Sequence, residues 1–170
     1  MVGKLEWVPA EEGRALLAAP VAAAVGEAKV AAIDPELADT AAFCERYDVP
    51  LEVSANCVIV AAKRGGEVTY AACMVLATDR ADVNGVVRKH LGARKVSFAP
   101  MDEATSLTGM EYGGITPVGL PEGWPILVDE AVVAAGDVVI GSGLRRSKLL
   151  LPGKSLADLP GAEVIPLAQK

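Results

Sequence analysis

The sequence holds one histidine, His90, and that scarcity excludes a good deal. A lone imidazole cannot build a multi-histidine metal centre, and it is the sole candidate base for any Ser-His or Cys-His nucleophile pair. His90 follows Arg88 and Lys89 in an amphipathic stretch, which directs it to solvent. Cysteines are also few: Cys44, Cys57 and Cys73. Their odd number and the lack of a Cys-x-x-Cys pair argue against a disulfide framework or a zinc site. Each lies among apolar neighbours and reads as a small buried hydrophobe. Aromatics make up 4% of a chain that is 52% hydrophobic, so Val, Ala and Leu must fill the interior. No apolar run approaches the ~20 residues of a membrane-spanning helix; the Ala-rich residues 15–25 are too few and include Pro20. Basic residues are outnumbered, 16 Lys and Arg against 22 Asp and Glu, for a net charge of −6. A protein that tracks a long nucleic-acid backbone is usually basic, so only local contact with such a polymer is left open. Near the N-terminus Lys4 is offset by Glu6, Glu11 and Glu12, unlike a signal or transit peptide. The expectation is a cytoplasmic protein with no membrane contact.

What is present suits one domain over residues 1–170. Residues 11–25 read as a helix kinked or ended by Pro20, and residues 29–33 as a strand. Asp34-Pro35 is a helix start, an N-cap followed by Pro in the first turn, and Pro50 is its stop. Residues 57–62 and 68–77 form two apolar strands joined through Gly65-Gly66, a hairpin signal. Their unbroken hydrophobicity implies burial on both faces. Residues 81–91 read as a helix ended by Gly92, residues 95–99 as a strand, and residues 102–107 as a helix closed by Gly109. Residues 112–121 contain too much Gly and Pro for an element interior. Short strands follow at residues 126–129, 138–141 and 148–151, then a helical turn at 155–159 and a strand at 164–167. Many short strands with few helices predict an α+β domain around a barrel-like, mixed, largely antiparallel sheet flanked by helices.

The order of the later segments carries a resemblance. Lys95-Val96-Ser97-Phe98-Ala99, Thr108-Gly109, Gly113-Gly114-Ile115-Thr116-Pro117-Val118-Gly119-Leu120, Leu127-Val128-Asp129 and Gly141-Ser142-Gly143 succeed one another as in the YbaK/prolyl-tRNA-synthetase-associated editing domains. The chain resembles that family over roughly residues 25–168. The resemblance implies the family's compact mixed α/β fold and hydrolysis of the ester between a wrong amino acid and its tRNA. It implies no cofactor and no metal. The implied partner is the tRNA acceptor end, its aminoacyl-adenosine, with removal of a small amino acid from tRNA(Pro) or a similar tRNA. A synthetase is a further candidate partner.

Such an ester is already activated, so the site needs to place a water, hold the carbonyl oxygen and immobilise the terminal adenosine. A Gly-Gly loop lets backbone N–H groups approach the ester. The resemblance therefore assigns Gly113 and Gly114 a catalytic place in the substrate-facing loop and Ile115, Thr116 and Pro117 to substrate binding, with Pro117 also holding the loop's shape. It assigns Gly141, Ser142 and Gly143 to a second small-residue loop at the same pocket. The family's characteristic lysine falls at Asn56, which can donate and accept hydrogen bonds but has no charge. Where relatives carry an Asp after the second loop, this chain has Lys148, within Arg145-Arg146-Ser147-Lys148. The expectation is that the positive charge has moved to Lys148, or to Arg145 or Arg146. Strand alternation would put Arg146 and Lys148 on one face. Asn56 also leaves open a module that binds the aminoacyl-tRNA or nucleotide end without hydrolysis, with or without a synthetase. Tyr112 or Trp124 could stack on the terminal adenine, Trp124 reading more naturally as core. Asp129 reads as structural. Arg88, Lys89 and His90, with Arg94 and Lys95 close behind, could touch tRNA phosphates near the acceptor stem, but read more naturally as a charged helix face.

Overall fold

The computed structural model describes residues 2–168. Its strands are β1 (Val8–Pro9), β2 (Lys29–Ala32), β3 (Ala55–Arg64), β4 (Glu67–Leu76), β5 (Lys95–Phe98), β6 (Ile126–Asp129), β7 (Asp137–Gly141), β8 (Ser147–Pro152) and β9 (Ala162–Ile165). Its α-helices are α1 (Ala19–Ala24), α2 (Thr40–Tyr47), α3 (Arg88–Leu91), α4 (Met101–Thr108) and α5 (Glu130–Ala134). One sheet runs β1-β2-β8-β7 and the other β5-β3-β4-β6-β9. Pairing is antiparallel except at β4–β6 and β6–β9. A parallel bridge from Ser54 to Val139 joins the sheets where β3 begins. This is the expected α+β architecture, mixed and mostly antiparallel.

Burial explains the unbroken apolar strands. Ile59, Met74, Ile126 and Val128 of the larger sheet share one core with Val30, Val138, Ile140 and Leu149 of the smaller sheet. The outer face of the larger sheet supplies Val60, Cys73, Val75 and Leu127 to a second cluster, closed by Val83 and Val87. The outer face of the smaller sheet supplies Val139 and Leu150 to a third, closed by Phe43 and Cys44 of α2. Both sheets are therefore covered on both sides, and neighbouring positions along a strand are apolar for different partners. The β3–β4 hairpin follows from its turn. Arg64 pairs with Glu67, and Gly65 and Gly66 have φ of 58° and 85°, the two left-handed residues that a tight primed turn requires.

Several helices differ from expectation. Residues 11–25 do not form one helix; a turn and a 3₁₀ segment (Arg14–Leu16) precede α1, and Pro20 lies in its first turn. Proline has no N–H to donate, so it starts this helix instead of kinking it. The Asp34 cap forms, its carboxylate accepting from Glu36 N at 3.0 Å, but it caps only the 3₁₀ turn Pro35–Leu37. The chain then becomes extended at Asp39 and restarts as α2. The helix expected over 81–91 opens as a wide π turn (Val83–Val87) with Asp82 accepting from Gly85 N at 3.0 Å. The turn at 155–159 is a 3₁₀ segment (Gly153–Asp158), and the final strand begins two residues before the expected 164. Three elements, β1, α5 and the 3₁₀ turn Leu51–Val53, had no expectation. Asp129 caps α5 and also accepts from Leu167 N at 2.8 Å and Ala168 N at 3.1 Å. It is a buried structural clamp.

Candidate functional site

A cavity of about 330 Å³ opens where the two sheets meet. The break before α2 supplies Ala38, Asp39 and Thr40, and the start of β3 supplies Asn56 and Cys57. Phe98 and Ala99 come from the end of β5, Ala104 from α4, Tyr112, Gly113 and Ile115 from the Gly-rich loop, Gly141 from β7 and Lys148 from β8.

Lys148 is the least ordinary of these residues. It lies inside the smaller sheet, opposite Ala31 of β2 and Gly141 of β7, and is 8% exposed. Alternation along β8 turns Leu149 to the shared core and Lys148, like Leu150, toward α2. Its Nζ donates to the Ala38 carbonyl at 3.0 Å and lies 5.0 Å from the centre of the Phe43 ring. Burial disfavours the ammonium and pulls its pKa down to about 8; nearby Arg145 adds to the effect and Asp39 opposes it. A buried cation is held by specific partners or it loses its proton, and the break before α2 supplies the carbonyl partner.

The two glycine-rich segments lie against each other. Gly143 N donates to the Gly114 carbonyl at 2.6 Å, and Glu111 N to the Gly143 carbonyl at 2.8 Å. A Cβ on Gly141 would stand 2.6 Å from the Gly114 oxygen, and one on Gly114 would stand 2.7 Å from the Leu144 carbonyl carbon. Side chains at either position would separate the loops. Gly113 has φ of 88°, and a Cβ there would run into the Arg145 guanidinium. That guanidinium donates to the Tyr112 carbonyl at 3.2 Å and the Pro35 carbonyl at 3.0 Å, and pairs with Asp39 at 3.6 Å. Arg145 thus fastens the Gly113 loop to the segment preceding α2.

Asn56 is held as well. The Thr40 hydroxyl donates to Asn56 Oδ1 at 2.6 Å. This occupies the acceptor end of the carboxamide and leaves its NH₂ as the donor for a ligand. Cys57 is in the cavity wall, but burial pushes its thiol pKa up, with Cys73 adding to the rise, so it is a neutral thiol and not a thiolate nucleophile. Among the described residues no group of three His, Cys, Asp or Glu side chains is placed to hold a metal ion, and no helix is long and apolar enough to cross a membrane.

The model of the aminoacyl-tRNA editing domain matches residues 34–159, well over half of the chain. The chain belongs to the aminoacyl-tRNA editing domain family. Deacylation of mischarged tRNA is what an editing domain does, and an aminoacyl-tRNA is its substrate. Among solved structures, one described as a candidate trans-editing enzyme for prolyl-tRNA synthetase superposes with a TM-score of 0.77 at 22% identity, covering 90% of this chain and 97% of that one. A scaffold protein used for computational grafting of linear epitopes gives a TM-score of 0.74 at 21% identity, covering 85% and 89%. At these identities the likeness is one of fold.

Within this editing domain the structure brings Asn56, Gly113, Ile115, Gly141 and Lys148 to one cavity. It does not bring the other expected residues to the wall. Gly114, Thr116 and Pro117 are buried behind the loop. Gly143 packs on Ala18 and Val21. Ser142 is fully buried, its hydroxyl 2.6 Å from that of Ser147, and ties the β7–β8 turn together. Arg146 precedes the start of β8, so the alternation argument fails for it. Its guanidinium reaches away to the Ala15 carbonyl at 2.7 Å. Trp124 stacks on Tyr70, with centroids 5.4 Å apart. His90 is exposed and paired with Glu163. Sequence reasoning missed Asp39, Thr40 and Phe98. The signal for the first two was present: Asp39-Thr40 is itself a helix-start pair, obscured by the stronger Asp34-Pro35 pair before it.

Proposed function

We propose that residues 1–170 act as one trans-editing domain that hydrolyses a small amino acid from tRNA(Pro) or a similar tRNA, with Lys148 replacing the charge absent at Asn56. The observation that carries this reading is the position of Lys148, a buried cation in the wall of the same cavity as Gly113 and Asn56. In this reading a water attacks the ester carbonyl carbon, negative charge grows on the carbonyl oxygen, and the ribose oxygen leaves with a proton. The Gly113 backbone and the Asn56 amide are hydrogen-bond donors suited to the developing oxyanion. The Lys148 ammonium stabilises negative charge in a poorly hydrated site, where it acts more strongly than in water. Ala55, Cys57, Ile59, Ala104 and Ile115 give the cavity an apolar wall that favours a small side chain. One methylene changes such selection by only ~1–3 kcal/mol. The net charge of −6 supports help from a synthetase in recruiting the tRNA.

The test is hydrolysis of a panel of mischarged tRNAs, including Ala-, Cys- and Ser-tRNA(Pro), by the purified protein and by Gly113→Val and Lys148→Met. Selective turnover by the wild type, strongly lowered in both variants, is expected. Full turnover in Lys148→Met would remove Lys148 from the chemistry. Binding of charged tRNA with no turnover across the panel would make this domain a recognition module, as the neutral Asn56 would then explain. Turnover that appears only when a synthetase is added would identify the partner.

A further inference from the structure

The chain has two Trp, three Tyr and two Phe, and five of these seven rings are occupied by the fold. Phe43 packs on Tyr47, and Tyr70 on Trp124. The Trp7 indole N–H donates to the Val2 carbonyl at 2.8 Å. The other two differ: Phe98 is 64% exposed and Tyr112 is 54% exposed, and both line the cavity. They reach it from separate segments. Phe98 ends β5, opposite Val60 of β3, while Tyr112 precedes Gly113, with its carbonyl held by Arg145.

We propose that Phe98 and Tyr112 form a stacking site for the unpaired bases at the 3′ end of the tRNA, which holds the terminal adenosine at the cavity rim as the ester enters. The inference rests on the editing reading above. Two arguments lead to a nucleic-acid base as the occupant. Both residues line the cavity and are largely exposed, so an aminoacyl end bound there brings the group attached to it beside them. The chain is also acidic, with a net charge of −6, which deprives it of the phosphate attraction on which nucleic-acid binding usually relies. Stacking on aromatic faces does not depend on charge and tolerates any base. This surface therefore grips bases where a basic protein would grip the backbone.

The test measures, by calorimetry at two salt concentrations, binding of a non-hydrolysable 3′-alanylamido adenosine, alone and at the end of a CCA trinucleotide. Phe98→Ala and Tyr112→Ala should each weaken CCA-analogue binding about 5- to 150-fold, with the salt dependence and melting temperature unchanged. Phe98→Tyr and Tyr112→Phe, which keep a flat ring, should bind as the wild type does. Phe98→Leu and Tyr112→Leu keep apolar bulk without a ring face and should lose binding like the Ala variants. Recovery by Leu would overturn stacking in favour of plain apolar contact. Wild-type affinity in both Ala variants, in a protein that still hydrolyses mischarged tRNA, would overturn the stacking site and leave editing intact. A wild type that binds neither analogue and hydrolyses nothing would overturn both.

Discussion

The chain contains two Gly-Gly pairs, and they do different things. Gly65 and Gly66 are exposed, both have positive φ, and a Cβ on either would meet nothing within 4 Å. They serve the conformation of their own turn. In Gly113-Gly114 the first glycine has positive φ and touches Arg145, and the second lies against the Leu144 backbone. That pair serves what the chain touches. One dipeptide therefore answers either a backbone demand or a packing demand, and local sequence does not distinguish them. What distinguishes them is the presence of a second loop, residues 141–145, folded against the first.

The largest effect should come from filling the second pair. Gly113→Val puts a branched side chain at φ of 88° and against the Arg145 guanidinium, which displaces the loop backbone at the cavity wall. Loss of one oxyanion donor commonly lowers turnover ~100- to 1,000-fold. A fall of that order in single-turnover deacylation is expected, in addition to about 1–3 kcal/mol of stability lost to a β-branched residue at positive φ. Gly114→Ala should act on stability only, by about 1–3 kcal/mol of overpacking against Leu144, read from denaturant unfolding. If both variants lost stability alike and kept turnover, the Gly113 loop would be only a second structural turn.

Lys148 gives the next largest effect. Its pKa is pulled from an ordinary 10.5 down to about 8 by burial. Replacement by Met should lower kcat/KM about ten- to hundredfold, the worth of a charged hydrogen bond. In the wild type, blank-corrected kcat/KM should fall as pH rises through 8, when the ammonium is lost; Lys148→Met should lack that limb. Stability has the opposite slope. Between pH 8 and 10.5 the unfolded chain holds this proton and the folded chain does not, so this group's contribution to stability rises with pH there. Below pH 8 both states are protonated and the burial penalty is present in full. Burial raises the Cys44, Cys57 and Cys73 pKa values, which acts in the reverse sense at alkaline pH. The difference between wild type and Lys148→Met isolates the lysine. A flat difference from pH 7 to 10 would mean that its amine is well solvated.

These residues also show how far the sequence reading could go. The hairpin, the strands at 126–129 and 138–141 and the helix closed by Gly109 were legible because each is set by its own residues. The split between Pro35–Leu37 and α2 was not, because two helix starts stand five residues apart and the segment between them carries a long-range contact, the Ala38 carbonyl accepting from Lys148. Lys148 itself was legible as a gain of charge, through the family pattern. Its burial was not, since Arg145-Arg146-Ser147-Lys148 reads as a solvated run until β2 and β7 are paired on either side of β8. Arg146 failed for the converse reason: alternation was applied to a residue that lies before the strand begins.

A smaller effect is expected at Thr40, which fixes the Asn56 amide. Thr40→Val removes the 2.6 Å bond, lets the carboxamide turn, and should lower kcat/KM roughly fivefold, as for one neutral hydrogen bond. Thr40→Ser should restore it. In an Asn56→Lys background Thr40→Val should have little further effect, because an ammonium needs no such orientation. Additive losses in that double mutant would show that Thr40 acts through α2 and not through Asn56.

The smallest effect returns to the first pair and has the opposite sign. Gly65→Asn creates Asn-Gly, the pair that the primed hairpin turn favours, at a position where Asn tolerates positive φ and a Cβ meets nothing. The unfolded chain loses some freedom and the folded chain suffers no clash, so stability should rise by up to about 1 kcal/mol. In a chain of this size that is roughly 2–4 °C in melting temperature, with deacylation unchanged. A Gly65→Asn variant that melted later but deacylated more slowly would couple the hairpin tip to the cavity, and the two glycine pairs could no longer be treated as separate devices.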